Sequence, residues 1–129
     1  MLDQFPLSAR LPASDIARAR AWYHDHLGLD PAKEGLMGNL WYETGGTWFL
    51  LYQTPSAGTA RNTAAGWQVR DIESVMTTLR DRGVAFEEYD FGPDFRTVNG
   101  LIATPEGKAA LFRDSEGNII EISEPDDGG

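Results

Sequence analysis

The chain has 129 residues, no cysteine, and 20 acidic against 11 basic side chains, a net charge of −9. That length fits one domain with its own core, and the lack of cysteine excludes disulfides, thiolate nucleophiles and cysteine-held metals. The charge opposes nucleic acid binding, which needs Lys and Arg to neutralise phosphates, and suits either a cationic small molecule in a cleft or solubility alone.

No apolar run is long enough to span a membrane, and Met1-Leu2-Asp3-Gln4-Phe5 lacks the features of a signal peptide, so a cytoplasmic location is expected. A first strand is expected from Leu7 to Ala13. A helix follows from about Asp15 to His26, with Ile16, Ala19, Trp22, Tyr23 and Leu27 forming one apolar stripe. Asp15 suits the N-cap and Gly28 the stop. Strand-like runs come next at Lys33 to Met37, Leu40 to Glu43 and Trp48 to Gln53, with Gly45-Gly46 as a turn.

The same order then repeats. Ala64 to Val69 reads as a strand and Ile72 to Arg82 as a helix with Ile72, Val75, Met76 and Leu79 on one face. Asp71 and Gly83 stand at its ends. Further strands are expected at Ala85 to Tyr89, Leu101 to Thr104, Ala109 to Arg113 and Ile119 to Ser123. Ser14-Asp15-Ile16 matches Arg70-Asp71-Ile72 at an offset of 56, and Phe49 to Pro55 matches Ile119 to Pro125 at an offset of 70. The second half carries extra length between Phe86 and Gly107. The chain therefore divides into a module at about 5–54, a linker at about 55–62 and a second module at about 63–125.

Three segments resemble the vicinal-oxygen-chelate superfamily, the glyoxalase/bleomycin-resistance/dioxygenase proteins. They are Leu11 to Tyr23 with Leu27-Gly28-Leu29, then Val69 to Ile72 with Leu79 to Val84, and the closing Phe112-Arg113-Asp114-Ser115-Glu116-Gly117-Asn118-Ile119-Ile120-Glu121-Ile122. The resemblance implies an α+β fold of two tandem βαβββ modules, whose sheets curl into a cup with helices outside. It also implies a homodimer. Members include metal-dependent lyases, isomerases, dioxygenases and fosfomycin-inactivating transferases, and metal-free proteins that sequester an antibiotic.

The enzymes carry metal ligands at symmetric points of the first and last strand of each module. Here these points fall on Ser8, Leu51, Ala64 and Glu121, of which Glu121 alone is a good ligand. A divalent ion needs three or four N or O donors, so no metal and no cofactor are expected. His24 and His26 stand about 200° apart on the helix and cannot chelate together, so they read as surface residues near its negative end. No Gly-rich phosphate loop follows a strand, which argues against nucleotide cofactors.

Strand alternation puts Arg10, Thr47, Phe49, Gln53, Gly66, Gln68, Ile119 and Ser123 in the cup with that set. It puts Leu11, Trp48, Leu50, Trp67, Val69, Ile120 and Ile122 in the core. Either Trp41 or Tyr42 should look inward, and Tyr89, Phe91 and Phe95 lie on the long second-half loop. The expected ligand-binding residues are Arg10, Trp41, Tyr42, Phe49, Gln53, Gln68, Phe91, Phe95 and Glu121. Arg10 and Glu121 either pair with each other or grip ligand groups. The leading expectation is a metal-free protein that sequesters a bulky, partly aromatic small molecule such as an antibiotic, with no nucleic acid or membrane partner. The alternatives are a lyase or isomerase using Glu121 as base, or a metal enzyme with ligands from the long loop.

Overall fold

In the computed structural model, which describes residues 1–126, each half of the chain builds its own four-stranded mixed sheet. The first half runs β1 (Arg10–Ala13), α1 (Ile16–Trp22), β2 (Lys33–Glu34), β3 (Leu40–Thr44) and β4 (Thr47–Gln53), in the sheet order β1-β4-β3-β2. The second runs β5 (Thr63–Gln68), α2 (Ile72–Asp81), β6 (Ile102–Thr104), β7 (Gly107–Arg113) and β8 (Ile119–Pro125), in the order β5-β8-β7-β6. The two orders are the same topology. In both, the first strand pairs in parallel with the last and the other neighbours run antiparallel. This is the α+β, two-module arrangement that the resemblance implied.

The helix signals act as expected. The Asp15 carboxylate accepts from the Arg18 amide at 2.9 Å and that of Asp71 from the Ser74 amide at 3.4 Å. The first helix continues past Trp22 as a wider turn at Tyr23–Leu27 and ends at Gly28, whose φ of 68° is left-handed. Among the described residues no helix is long and apolar enough to cross a membrane.

One core joins the two halves. Leu11, Tyr42, Phe49 and Leu51 of the first sheet and Phe112, Ile120 and Ile122 of the second belong to a single buried cluster. Helix α1 and its extension touch both sides. Tyr23 packs on Tyr42 and Phe49, while Trp22 stacks on Phe112 at 6.2 Å. With the helices and core on one face of each sheet, the opposite faces are left open.

Three expected strands are shortened or lost. The first begins at Arg10, because Leu7 is fully open to solvent and only the Ala9 carbonyl reaches Leu50. The run at Lys33 to Met37 pairs only over Lys33–Glu34, since Met37 takes a φ of 60° in a short 3-10 turn. Ala85 to Tyr89 is held by an isolated bridge from Phe86 to Phe112, and the two rings meet edge to face. Beyond it the extra length folds back on itself through bridges Asp90–Arg96 and Val98–Leu101.

Candidate functional site

The open face of the second sheet is built by alternation along β8, where Glu121 and Ser123 point away from the core that Ile120 and Ile122 enter. Cross-strand pairing lines them up in rows: Leu111, Glu121 and Gly66, then Ile102, Ala109, Ser123 and Gln68. All of these but Gly66 line a hollow of about 490 Å³, bordered by Phe95 from the long loop. Gly66 matters here, since a Cβ at that position would meet the Glu121 carboxylate at 3.4 Å. Beside it a second hollow of about 810 Å³ runs along the seam between β1 and β5. It is lined by Arg10, Trp48, Gly66 and Gln68 among others. Gln68 thus borders both.

The open face of the first sheet carries a row set by pairing across all four strands: Lys33, Trp41, Leu50 and Arg10. The Arg10 guanidinium lies over the Trp41 ring at 4.9 Å and the Lys33 ammonium at 5.9 Å, both within cation–π range. The long loop adds an aromatic series, with Tyr89 stacked on Phe91 at 5.9 Å and Phe95 tilted against Phe91 at 5.8 Å. Phe91 and Phe95 are 71% and 46% exposed, too open for core residues.

These open faces sit on a topology with many solved relatives. The Glyoxalase/Bleomycin resistance protein/Dioxygenase superfamily model matches residues 6–122. The chain belongs to this superfamily. Among solved structures it resembles TnmS3, an antibiotic binding protein from a Streptomyces species, with a TM-score of 0.68 and 26% identity over 92% of this chain and 93% of that one. It also resembles a glyoxalase/bleomycin resistance protein from Streptomyces, with a TM-score of 0.64 and 26% identity over 90% and 96% of the two chains. The fosfomycin resistance protein FosX from Listeria monocytogenes, solved with Mn(II), shares the fold with a TM-score of 0.63 and 16% identity over 92% and 88%. The comparison with curated proteins finds no match.

Strand register decides whether the superfamily's metal fits here. Arg10 and Gly66 both stand five residues before a capping aspartate, and they pair with Leu50 and Glu121 respectively. The first-module counterpart of Glu121 is therefore Leu50, and Leu51, expected in the cup, lies fully buried in the core. The correction leaves the donor set equally poor: Ser8, Leu50, Ala64 and Glu121 offer one carboxylate and one hydroxyl. Such a set does not fit a divalent cation. Among the described residues no group of three His, Asp or Glu side chains converges on one point.

The same one-residue shift reassigns other first-module residues. Phe49 stacks on Tyr42 in the core at 4.8 Å with the rings nearly parallel, and both are buried. Thr47 and Gln53 share that strand face, and the Gln53 amide donates to the Ser14 carbonyl. Trp48 and Leu50, expected in the core, are on the open face instead. Of the alternating pair on β3, Trp41 is the open one. In the second module Gly66, Gln68, Glu121 and Ser123 take the open face and Trp67, Ile120 and Ile122 the core, as expected, whereas Ile119 is buried. Arg10 and Glu121 form no ion pair, since Arg10 is turned to Trp41. His24 is at the surface, 2.7 Å from Asp30, but His26 is half-buried against Trp22.

A buried polar cluster within the closing segment Phe112 to Ile122, none of whose members the sequence marks as a site residue, ties the halves together. Glu116, whose side chain is fully buried, accepts from the Ser14 and Asp15 amides at 3.0 and 3.1 Å, from Arg18 twice at 2.9 Å, and from the Ser115 hydroxyl at 2.8 Å. Beside it Asp114 accepts from the Tyr23 hydroxyl at 2.7 Å and from the Glu116 and Asn118 amides. The Asn118 side chain donates to the Pro12 carbonyl and to Asp114. Burial and the neighbouring Asp114 charge push the Tyr23 hydroxyl far above its usual range, so it stays a donor. The cluster fixes β1 and α1 against the β7–β8 turn, and so sets the seam between the open faces.

Proposed function

We propose that this protein binds a bulky, partly aromatic small molecule without a metal and protects by sequestering it, an antibiotic being the best-fitting class. The observation that carries this reading is the pairing of a donor-poor set at the superfamily's ligand points with aromatic rings on open faces. Leu50 and Ala64 stand where an ion needs donors, while Trp48, Phe91 and Phe95 offer flat apolar surface to a ring system. Gln68, Ser123 and Glu121 supply the few polar groups that orient such a ligand. The likeness to an antibiotic binding protein at 26% identity points the same way.

The active form under this proposal is a homodimer. The exposed Leu7, Trp48 and Phe95 border the hollows and need a cover, and a second copy laid on these faces would close them. Titration of the protein with a panel of planar polyketide and glycopeptide antibiotics, followed by tryptophan fluorescence and by sedimentation, tests both parts. Saturable binding at one ligand per hollow with a dimeric mass is expected. A monomer that quenches with none of the panel refutes the proposal. If Glu121→Gln keeps binding but a slow conversion of the ligand stops, the protein is instead an enzyme with Glu121 as base.

A further inference from the structure

We infer that the ligand carries a planar anionic group, a carboxylate or a phenolate attached to its aromatic system, and that Arg10 and Lys33 receive it beside Trp41. This inference rests on the small-molecule reading above and narrows it. It runs against the net charge, which by itself favours a cation. What matters is the charge at the site, since an approaching group meets the two nearby cations of this row before the field of the distant surface.

The geometry is set by strand register. Lys33 pairs directly with Trp41, and Arg10 lies one strand beyond Leu50 on the other side of the same row. The indole is therefore flanked by two cations on the open face. The Arg10 guanidinium, its carbon 4.9 Å from the indole centroid, has no carboxylate partner among the described residues, and its N–H groups match the two oxygens of a carboxylate. Among the described residues neither cation joins an ion pair, whereas Arg18, Arg20, Lys108 and Arg113 each find a carboxylate. Glu34 points to the helix side and pairs with Arg20 at 3.1 Å, and Glu43, two residues beyond Trp41 on the same face, pairs with neither cation. The second-sheet hollow is the opposite pole. Its lining includes Glu106, Glu121 and Glu124, and its one cation, Lys108, is drawn to Glu73 at 3.4 Å. A ligand that spans the two faces is thus oriented, with its anionic end at Trp41.

Three matched probes test this: 1-naphthoate, its neutral amide 1-naphthamide, and the cation 1-naphthylmethylammonium. Each is titrated into the full-length protein by calorimetry and tryptophan fluorescence. The inference expects 1-naphthoate to bind at least tenfold more tightly than the amide. It expects Arg10→Met and Lys33→Met each to remove most of that preference, read as the ratio of naphthoate to naphthamide affinity in the same variant, while leaving the melting temperature unchanged. Both side chains are exposed, so the variants fold. Equal binding of all three probes, or a preference for the cation, overturns the inference and leaves the aromatic-binding proposal standing. Preference for 1-naphthoate that survives both substitutions overturns the assignment to this row. Failure of all three probes to bind counts against both readings.

Discussion

Replacing Glu116 by Gln should unfasten the two modules, and the structure gives a magnitude. Burial pushes the Glu116 carboxyl up, but hydrogen bonds from Arg18, Ser115 and the Asp15 amide, with the Arg18 charge, outweigh it and hold the group down to about 2, against an ordinary 4.5. A shift of that size corresponds to about 3 kcal/mol of folding free energy. Its sign follows from the direction. Because the folded state holds the carboxylate more strongly than the unfolded chain does, the contribution is complete above about pH 4.5 and fades as pH falls towards 2. A glutamine there presents an NH2 to a ring of donors, so Glu116→Gln should cost about 3 kcal/mol near neutral pH. Urea unfolding at a series of pH values measures both effects. The wild type should lose stability between pH 4.5 and 2, and the variant should lose about 3 kcal/mol at neutral pH and show a flatter acid limb. A variant within about 0.5 kcal/mol of the wild type, or one with the same acid limb, would refute the reasoning.

Tyr42 has a buried hydroxyl without a partner among the described residues, and burial pushes it up to about 12. Tyr42→Phe should therefore leave stability unchanged or raise it by about 1 kcal/mol in a thermal melt, and a loss above that would reveal a missing partner. Gly117 has a φ of 86° and its added Cβ would lie 2.9 Å from the Gly58 Cα, where the segment after β4 crosses the β7–β8 turn. Gly117→Ala should cost about 1–3 kcal/mol, measured by denaturant midpoint. Phe112, fully buried between Trp22 and Phe86, should cost about 3–5 kcal/mol as Phe112→Ala.

What the sequence disclosed and what it hid have physical causes. Asp15, Asp71 and Gly28 act locally on the turn next to them, so their caps could be read without knowing the fold. Along β8, Ile120-Glu121-Ile122-Ser123 alternates and names its own faces. Along β4, Trp48-Phe49-Leu50-Leu51-Tyr52 is apolar on both sides, because the open face is itself aromatic and aliphatic. No period of two survives there, and only the pairing of Arg10 with Leu50 fixes which side is which. For the same reason the counterpart of Glu121 is Leu50 and not Leu51, the position the repeat implied. The Arg10–Trp41–Lys33 row joins three strands, and the Glu116 cluster joins residues about a hundred positions apart. Neither leaves a local pattern.

The most direct test of the account is ligand binding by chelator-treated protein, with metal content measured on the native protein beforehand. No stoichiometric divalent metal is expected, with an antibiotic affinity that the chelator leaves unaltered and that Glu121→Ala weakens only modestly. A divalent ion retained through purification at one per hollow, with binding abolished when it is stripped, would contradict it.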